Sequence, residues 1–110
     1  MQVTISARHG ELAASTQELL EQKARKLTRF FDRITAILVT VDLKSEAKPE
    51  VEIVVSAEEA EDFVAKDSGN NALSAVESVV QKLEQQLRKH KEKLTDHHRT
   101  PGPRQIEADS

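Results

Sequence analysis

Apolar residues alternate with polar ones in four short segments, and this two-residue period is typical of β-strands that bury one face. The first segment is QVTIS, and two longer ones, AILVTVDLK and VEIVVS, lie on either side of SEAKPE. Pro49 predicts a turn there because it cannot donate a ladder hydrogen bond. FVAKD predicts a short fourth strand after the acidic turn AEEAED. The predicted inward positions are Val3, Ile5, Ile37, Val39, Val41, Leu43, Val51, Ile53 and Val55.

Two other segments repeat apolar residues at steps of three and four, which predicts amphipathic helices. In the first, Ser15 and Glu18 form a capping-box pattern, and the helix should end near Asp32 or Arg33. SGNN supplies capping residues for the second helix, from about Ala72 to Leu94. The two predicted stripes are Leu20, Ala24, Leu27, Phe31 and Ile34, and Leu73, Val76, Val80, Leu83, Leu87 and Leu94.

The element order β-α-β-β-β-α predicts an α+β fold of two layers. The strand–helix–strand start favours a parallel pair, and the short turns that follow favour antiparallel neighbours. Since each helix has one apolar stripe, both helices should pack on one face of a four-stranded sheet. Residues 1–94 form the predicted domain. Residues 95–110, with two Pro, a Gly and hardly any apolar content, predict a flexible tail.

Composition limits the possible chemistry of these 110 residues. The core must be aliphatic, because there are three Phe and neither Trp nor Tyr. The absence of Cys excludes disulfides, thiolate metal sites and cysteine nucleophiles. The N-terminal segment has no basic region followed by an apolar run, and no stretch approaches transmembrane length. We therefore expect a soluble cytoplasmic protein without a membrane partner, and a monomer when free, because the core needs most of each stripe.

The formal net charge of −3 conceals an uneven distribution. Residues 35–70 hold three Lys or Arg against nine Asp or Glu, whereas residues 1–34 hold six against four and residues 71–98 hold five against four. With the apolar stripes inward, the outward faces of both helices are biased towards Lys and Arg, with interspersed Gln. Two roughly adjacent basic ridges would suit the phosphates of structured RNA. The alternative is an ordinary solvated face, since exposed helix faces are usually charged.

The two basic segments, KARKLTRFFDRI and VVQKLEQQLRKHKEKL, resemble the ribosome hibernation promoting factor family in its short form. The resemblance covers nearly the whole chain, through Leu94. It implies the β-α-β-β-β-α fold and a partner, the small ribosomal subunit, whose mRNA and tRNA channel such proteins occupy, so that translation stops and inactive ribosomes are preserved. The residues that inherit ribosomal RNA contacts are Lys23, Lys26, Arg29, Arg33, Lys82, Gln86, Lys89, Lys91 and Lys93. Arg25 and Arg88 are added on charge alone.

The chain departs from the family pattern at three positions. Leu73 stands where members commonly carry Tyr, Glu77 stands for an aspartate, and Gln85 stands for a common Arg. These departures affect individual contacts rather than the fold. Within the family, short members either promote or oppose the pairing of ribosomes, depending on the tail, and residues 95–110 are compatible with both behaviours.

No motif predicts catalysis. His97 and His98 lie beside Asp96 in the tail, but adjacent side chains seldom converge on one metal ion and no further ligand is evident. His90, near an apolar stripe, is expected to pack or to contact RNA. The acidic cluster at 58–62 is expected to be solvated. We therefore expect no enzyme activity, cofactor, metal or small-molecule substrate.

Two other functions are compatible with the residues. A protein-interaction regulator could dock its basic helical face on an acidic protein partner. A general binder of double-stranded RNA would bind a free duplex as well as it binds the ribosome. The resemblance favours a third hypothesis, the ribosome-binding inhibitor, over these two.

Overall fold

Two helices pack on one face of a four-stranded sheet in a computed structural model of the chain. The structure describes residues 1–45 and 47–99, with the backbone alone for 92–99. The predicted α+β class and element order are confirmed. The elements are β1 (Gln2–Arg8), α1 (Ala14–Arg25), a 3-10 helix (Lys26–Arg29), β2 (Ile34–Asp42), β3 (Glu50–Ala57), β4 (Phe63–Ser68) and α2 (Ala72–Arg99).

The strands lie side by side in sequence order. β1 pairs with β2 in parallel, as the intervening helix predicts, whereas β2–β3 and β3–β4 are antiparallel pairs joined by turns. α1 packs against β1 and β2, and α2 packs against β3 and β4. Since α1 returns from the end of β1 to the start of β2, and α2 returns along β4, the two helices run in the same direction. Their C-terminal ends therefore lie at the same end of the domain.

The core lies between the helices and the sheet and is entirely apolar among the described residues. The alternation in β2 and β3 and the helical stripes place the predicted side chains inward, with Leu73, Val3, Ile5 and Leu43 only partly buried. The side chain of Leu94 lies outside the described set. No helix among the described residues covers the opposite face of the sheet, and Leu38 and Val64 are exposed there by 42% and 46%.

The start and end of α1 differ from the prediction. Ala13 precedes the helix without a side-chain cap, and Ser15 lies inside the first turn, so the predicted capping box is wrong. The α-helix ends at Arg25 rather than near Asp32, and the chain tightens into the 3-10 helix. The Thr28 hydroxyl donates to the Arg25 carbonyl (2.8 Å), which would otherwise accept a helical N–H.

The second helix is longer than predicted. Asn71 Oδ1 accepts the Ser74 N–H (2.8 Å), which confirms the cap expected from SGNN. The backbone then remains helical to Arg99, five residues beyond the predicted end at Leu94. The predicted tail over 95–110 therefore begins within α2, and residues 100–110 lie outside the described part of the chain. Among the described residues, neither helix has the length and apolar content to cross a membrane.

Candidate nucleic-acid interface

The shared direction of the two helices brings their cations together at one end of the domain. Arg29 and Arg33 follow α1, and Lys91 comes from α2, yet all three line one surface depression of about 310 Å³. All three side chains are exposed. We call this surface feature the end depression, and Arg29, Arg33 and Lys91 are its three cations. The sequence predicted each of them, and the structure places them side by side, which suits a ligand with closely spaced negative charges.

A contact between a basic and an aromatic side chain lies next to the end depression. The Arg88 guanidinium lies 5.5 Å from the centre of the Phe30 ring, in cation–π geometry, and links α2 to the end of the 3-10 helix. Phe31 is buried, as its place in the predicted stripe requires, while Phe30 and Phe63 are half-buried against the core. Arg88 therefore has an intramolecular partner next to the cations it was grouped with.

A groove between the helices contains both signs of charge. Lys23 and Lys26 line it from the α1 side, and Glu77 and Glu84 line it from α2. Lys23 Nζ lies 3.1 Å from Glu77 Oε2, and this ion pair links the two helices. The Lys23 side chain is only 28% exposed. The sequence patterns did not predict that Glu77 and Glu84 line a groove beside the cations. Their seven-residue spacing, two helical turns on one face, was the available signal.

Lys82 and Gln86 lie on the other side of α2, against the outer edge of β4. Lys82 Nζ donates to the Lys66 carbonyl (3.2 Å), and Gln86 Nε2 donates to the Val64 carbonyl (3.0 Å). Lys82 is also 3.4 Å from the Asp67 carboxylate. Both side chains thus cover backbone groups that an edge strand leaves unpaired.

The prediction that the two basic ridges lie roughly side by side is therefore wrong. The predicted ridge of α2, which begins at Lys82 and Gln86, faces the β4 edge rather than α1. The side of α2 that faces α1 carries Glu77 and Glu84. Among the described residues, Arg29, Arg33 and Lys91 come together at the C-terminal end of the helix pair, where the chain beyond α1 lies close to α2.

The remaining predicted residues have differing environments. Arg25 donates through Nε and Nη2 to Glu21 Oε2 (3.0 and 2.8 Å), one helical turn away. Arg33 Nη1 is 3.0 Å from Glu59 Oε1 in the acidic turn. Lys26, Arg29 and Lys89 are exposed and make no ion pair within the described residues. The side chain of Lys93 lies outside the described set.

Asp67, beside Lys82, is a carboxylate with several hydrogen-bond donors around it. It accepts hydrogen bonds from the Ser78 hydroxyl and from the Ser68 N–H, and these two bonds, with Lys82 nearby, hold its pKa below the ordinary 3.8. Asp67 and Ser78 thus join β4 to α2 beneath Lys82. Lys82 is held by this network as well as by the β4 carbonyl.

No described group of three His, Cys, Asp or Glu residues has the geometry to hold a metal ion. The side chains of His97 and His98 lie outside the described set. The acids of the 58–62 turn are exposed, as expected, although Glu59 pairs with Arg33. His90 packs between the rings of Phe31 and Phe63. Packing was one of the two roles expected for this residue.

Comparison with known proteins gives one consistent family. Residues 3–95 match the family model described as Sigma 54 modulation protein / S30EA ribosomal protein. A ribosome hibernation promoting factor from Azotobacter vinelandii is 31% identical over 103 residues, which cover 94% of this chain and 94% of the relative. The protein of the same name from Escherichia coli (strain K12) is 30% identical over 97 residues, covering 88% of this chain and 100% of the relative.

Solved structures share the fold. A ribosomal subunit interface protein from Coxiella burnetii superposes with a TM-score of 0.74 at 22% identity, covering 84% of this chain and 99% of the neighbour. The N-terminal domain of Thermus thermophilus Protein Y gives a TM-score of 0.71 at 21% identity, covering 82% and 99%. At these identities the likeness supports the two-layer architecture.

Proposed function

Because the chain belongs to the Sigma 54 modulation protein / S30EA ribosomal protein family, we propose that it is a ribosome hibernation factor. It binds the small ribosomal subunit, occupies the channel used by mRNA and tRNA, and blocks translation by occlusion rather than by catalysis. It acts in the cytoplasm, where ribosomes are, and is a monomer when free. The names of its relatives from A. vinelandii and E. coli support the ribosome as partner.

The convergence of cations in the end depression is the observation that carries this proposal. Arg29 comes from the 3-10 helix, Arg33 from the turn before β2 and Lys91 from α2, and all three line one depression. Lys26 and Lys89 are exposed cations outside this depression: Lys26 lines the groove beside Glu77 and Glu84, and Lys89 follows Lys82 and Gln86 on the β4 side of α2. Cations in such an array neutralise neighbouring phosphates of a folded RNA and release their counterions, which drives binding. With only three Phe in the chain, recognition by shape and phosphate is favoured over base stacking.

The helix dipole is the simplest structural explanation for cations near helix ends. A cation in the last turn stabilises a helix by about 0.3–1 kcal/mol, and the effect fades beyond that turn. It accounts for Lys23 and Arg25 in the last turn of α1. It does not account for Lys89 and Lys91, because α2 continues to Arg99, more than two turns beyond them. A surface selected for an anionic partner explains these interior positions.

Sedimentation with purified small subunits tests the proposal. The wild type should travel with the subunit at low salt, and Arg29→Glu/Lys89→Glu should stay at the top of the gradient, because two cations of the proposed RNA-binding surface become anions, a net change of −4. We expect affinity to fall at least about 100-fold, and wild-type binding to decline steeply with salt. Lys44→Glu/Lys48→Glu, an equal charge change on exposed residues of the β2–β3 turn, is the matched control and should still bind.

Each contrary result has a distinct meaning. Equal loss of binding in the two double variants would point to net charge rather than to the position of Arg29 and Lys89. A wild type that stays at the top of the gradient at low salt would refute the ribosomal function. In that case, capture of an acidic protein that survives ribonuclease treatment would support a protein-interaction regulator.

A further inference from the structure

His90 is enclosed by aromatic rings at the end of the domain. The centre of its imidazole lies 5.3 Å from that of Phe31 and 5.3 Å from that of Phe63, with interplanar angles of 83° and 73°. The two Phe rings are 6.4 Å apart, also edge to face. These separations are typical of stabilising aromatic pairs. The three rings, which we call the ring cluster, join α2 to the chain after α1 and to the first residue of β4.

The ring cluster lies directly beneath the proposed phosphate contacts. His90 stands between Lys89 and Lys91 in sequence, and Phe31 stands between Arg29 and Arg33. Successive helical side chains diverge by about 100°, so an inward His90 directs both of its lysine neighbours away from the core. Arg88 over Phe30 makes a second link between the same two segments. Two ring contacts, His90 with Phe31 and Arg88 with Phe30, therefore join the segments that carry the cations of the end depression.

We infer that His90 is a positioning residue for the end depression. The ring cluster fixes α2 against the chain after α1, so that Lys91 faces Arg29 and Arg33 before any ligand arrives. A ligand then binds without first having to order the end of the helix pair, and pre-ordering of this kind raises affinity. The inference rests on the proposed function: the ligand is ribosomal RNA, bound through its phosphates, and His90 itself makes no contact with it.

Binding across a salt series separates this role from direct contact. We compare His90→Phe, which keeps a ring, with His90→Ala and His90→Gln, which remove it, and with Lys91→Ala, which removes one cation. For the ringless variants we expect about tenfold weaker binding to small subunits. The slope of log affinity against log salt should also fall by the amount that corresponds to about one lost phosphate contact, as it should for Lys91→Ala. His90→Phe should keep both the affinity and the slope of the wild type.

Amide hydrogen exchange in the free protein tests the same point without a ribosome. Exchange at residues 88–91 should accelerate in the ringless variants and stay slow in His90→Phe, because opening of that segment no longer breaks ring contacts. Unchanged exchange in a folded ringless variant would overturn the inference. So would equal loss of binding in His90→Phe, or weaker binding with an unchanged salt slope. A wild type that fails to bind would refute the proposed function, while exchange would still test the ring cluster.

Discussion

Several side chains of the proposed interface also make contacts within the fold. Lys23 joins the two helices through Glu77, Arg25 is paired with Glu21, and Lys82 is held by β4. Exposed ion pairs of this kind stabilise a protein by about 0–1 kcal/mol, so a phosphate competes with them at little cost. Lys26, Arg29 and Lys89 have no such competitor among the described residues, and we expect substitutions there to affect binding most directly.

Asp67 gives a pH-dependent test at this scale. Its pKa is lowered below 3.8, chiefly by the Ser78 hydroxyl and then by the Ser68 N–H. A carboxylate whose pKa is lowered by folding stabilises the folded state above its ordinary pKa, and this contribution is lost as the pH falls through the folded value. Asp67→Asn should therefore lower the urea midpoint at pH 7, and its difference from the wild type should shrink below about pH 4.

Ser78→Ala supplies the partner variant. It should lower the urea midpoint at pH 7 in the same direction, and the double variant should lose less than the sum of the two single losses, since both remove one interaction. A difference between Asp67→Asn and the wild type that stayed constant from pH 7 to pH 3 would contradict this account.

At the scale of elements, α2 has three different sides. One packs on the sheet through Val76, Leu83 and Leu87, and another lines the groove with Glu77 and Glu84. The third covers the edge of β4, where Lys82 and Gln86 bind backbone carbonyls. Free strand edges invite pairing with other chains, and a polar cover from a neighbouring helix prevents this. Lys82 and Gln86 therefore have a structural role in addition to the predicted RNA contact.

Gln86→Ala tests the structural role against its neighbour. Losing the bond to the Val64 carbonyl should reduce the free energy of unfolding by about 0.5–1.5 kcal/mol. Gln85→Ala, on an exposed side chain of the same helix, should change it by less than about 0.5 kcal/mol. Urea denaturation gives both values. If Gln86→Ala left stability unchanged yet weakened subunit binding as much as Arg29→Ala, the RNA contact would be the main role of Gln86.

Across the whole molecule, opposite charges adjoin at one end. The acidic turn at 58–62 reaches the end depression, since Arg33 pairs with Glu59 and the Arg33 carbonyl accepts the Glu58 N–H (3.0 Å). Acids this close lower the positive potential that attracts any RNA, whereas a ligand of matching shape still gains its direct contacts. We expect the turn to favour a shaped RNA site over arbitrary RNA.

Neutralising the turn tests this effect. Changing Glu58, Glu59 and Glu61 to Gln and Asp62 to Asn raises the net charge by four, from −3 to +1. Binding to an unrelated RNA duplex should strengthen about tenfold at low salt, and the gain should disappear near 0.5 M salt, where screening is short-ranged. Fluorescence anisotropy of a labelled duplex measures it.

The matched control places the same charge change elsewhere. Gln at Glu11, Glu18, Glu50 and Glu52 gives the same net charge of +1, and it should strengthen duplex binding less than the turn variant does. An equal gain in both would mean that net charge, rather than the position of the acids, governs non-specific binding.

The sequence by itself determined the order of elements, their pairing and the core. Periods of two and of three to four place Val39, Ile53 and Leu83 inward wherever the element lies, because one face must leave water. The basic residues and their spacing also indicated the family, as the match over residues 3–95 confirms. The individual RNA contacts stay a prediction.

Only the tertiary structure decided how those residues meet. Whether Lys82 faces α1 or the β4 edge depends on which side of α2 is packed against α1, and the apolar period, which continues to Phe31 and Ile34, does not show that α1 tightens into a 3-10 helix after Arg25. The approach of Arg33 to Lys91, and of His90 to Phe31, joins residues more than fifty positions apart. Local periodicity carries no information on such distances, which are set by the packing of whole elements on a shared core.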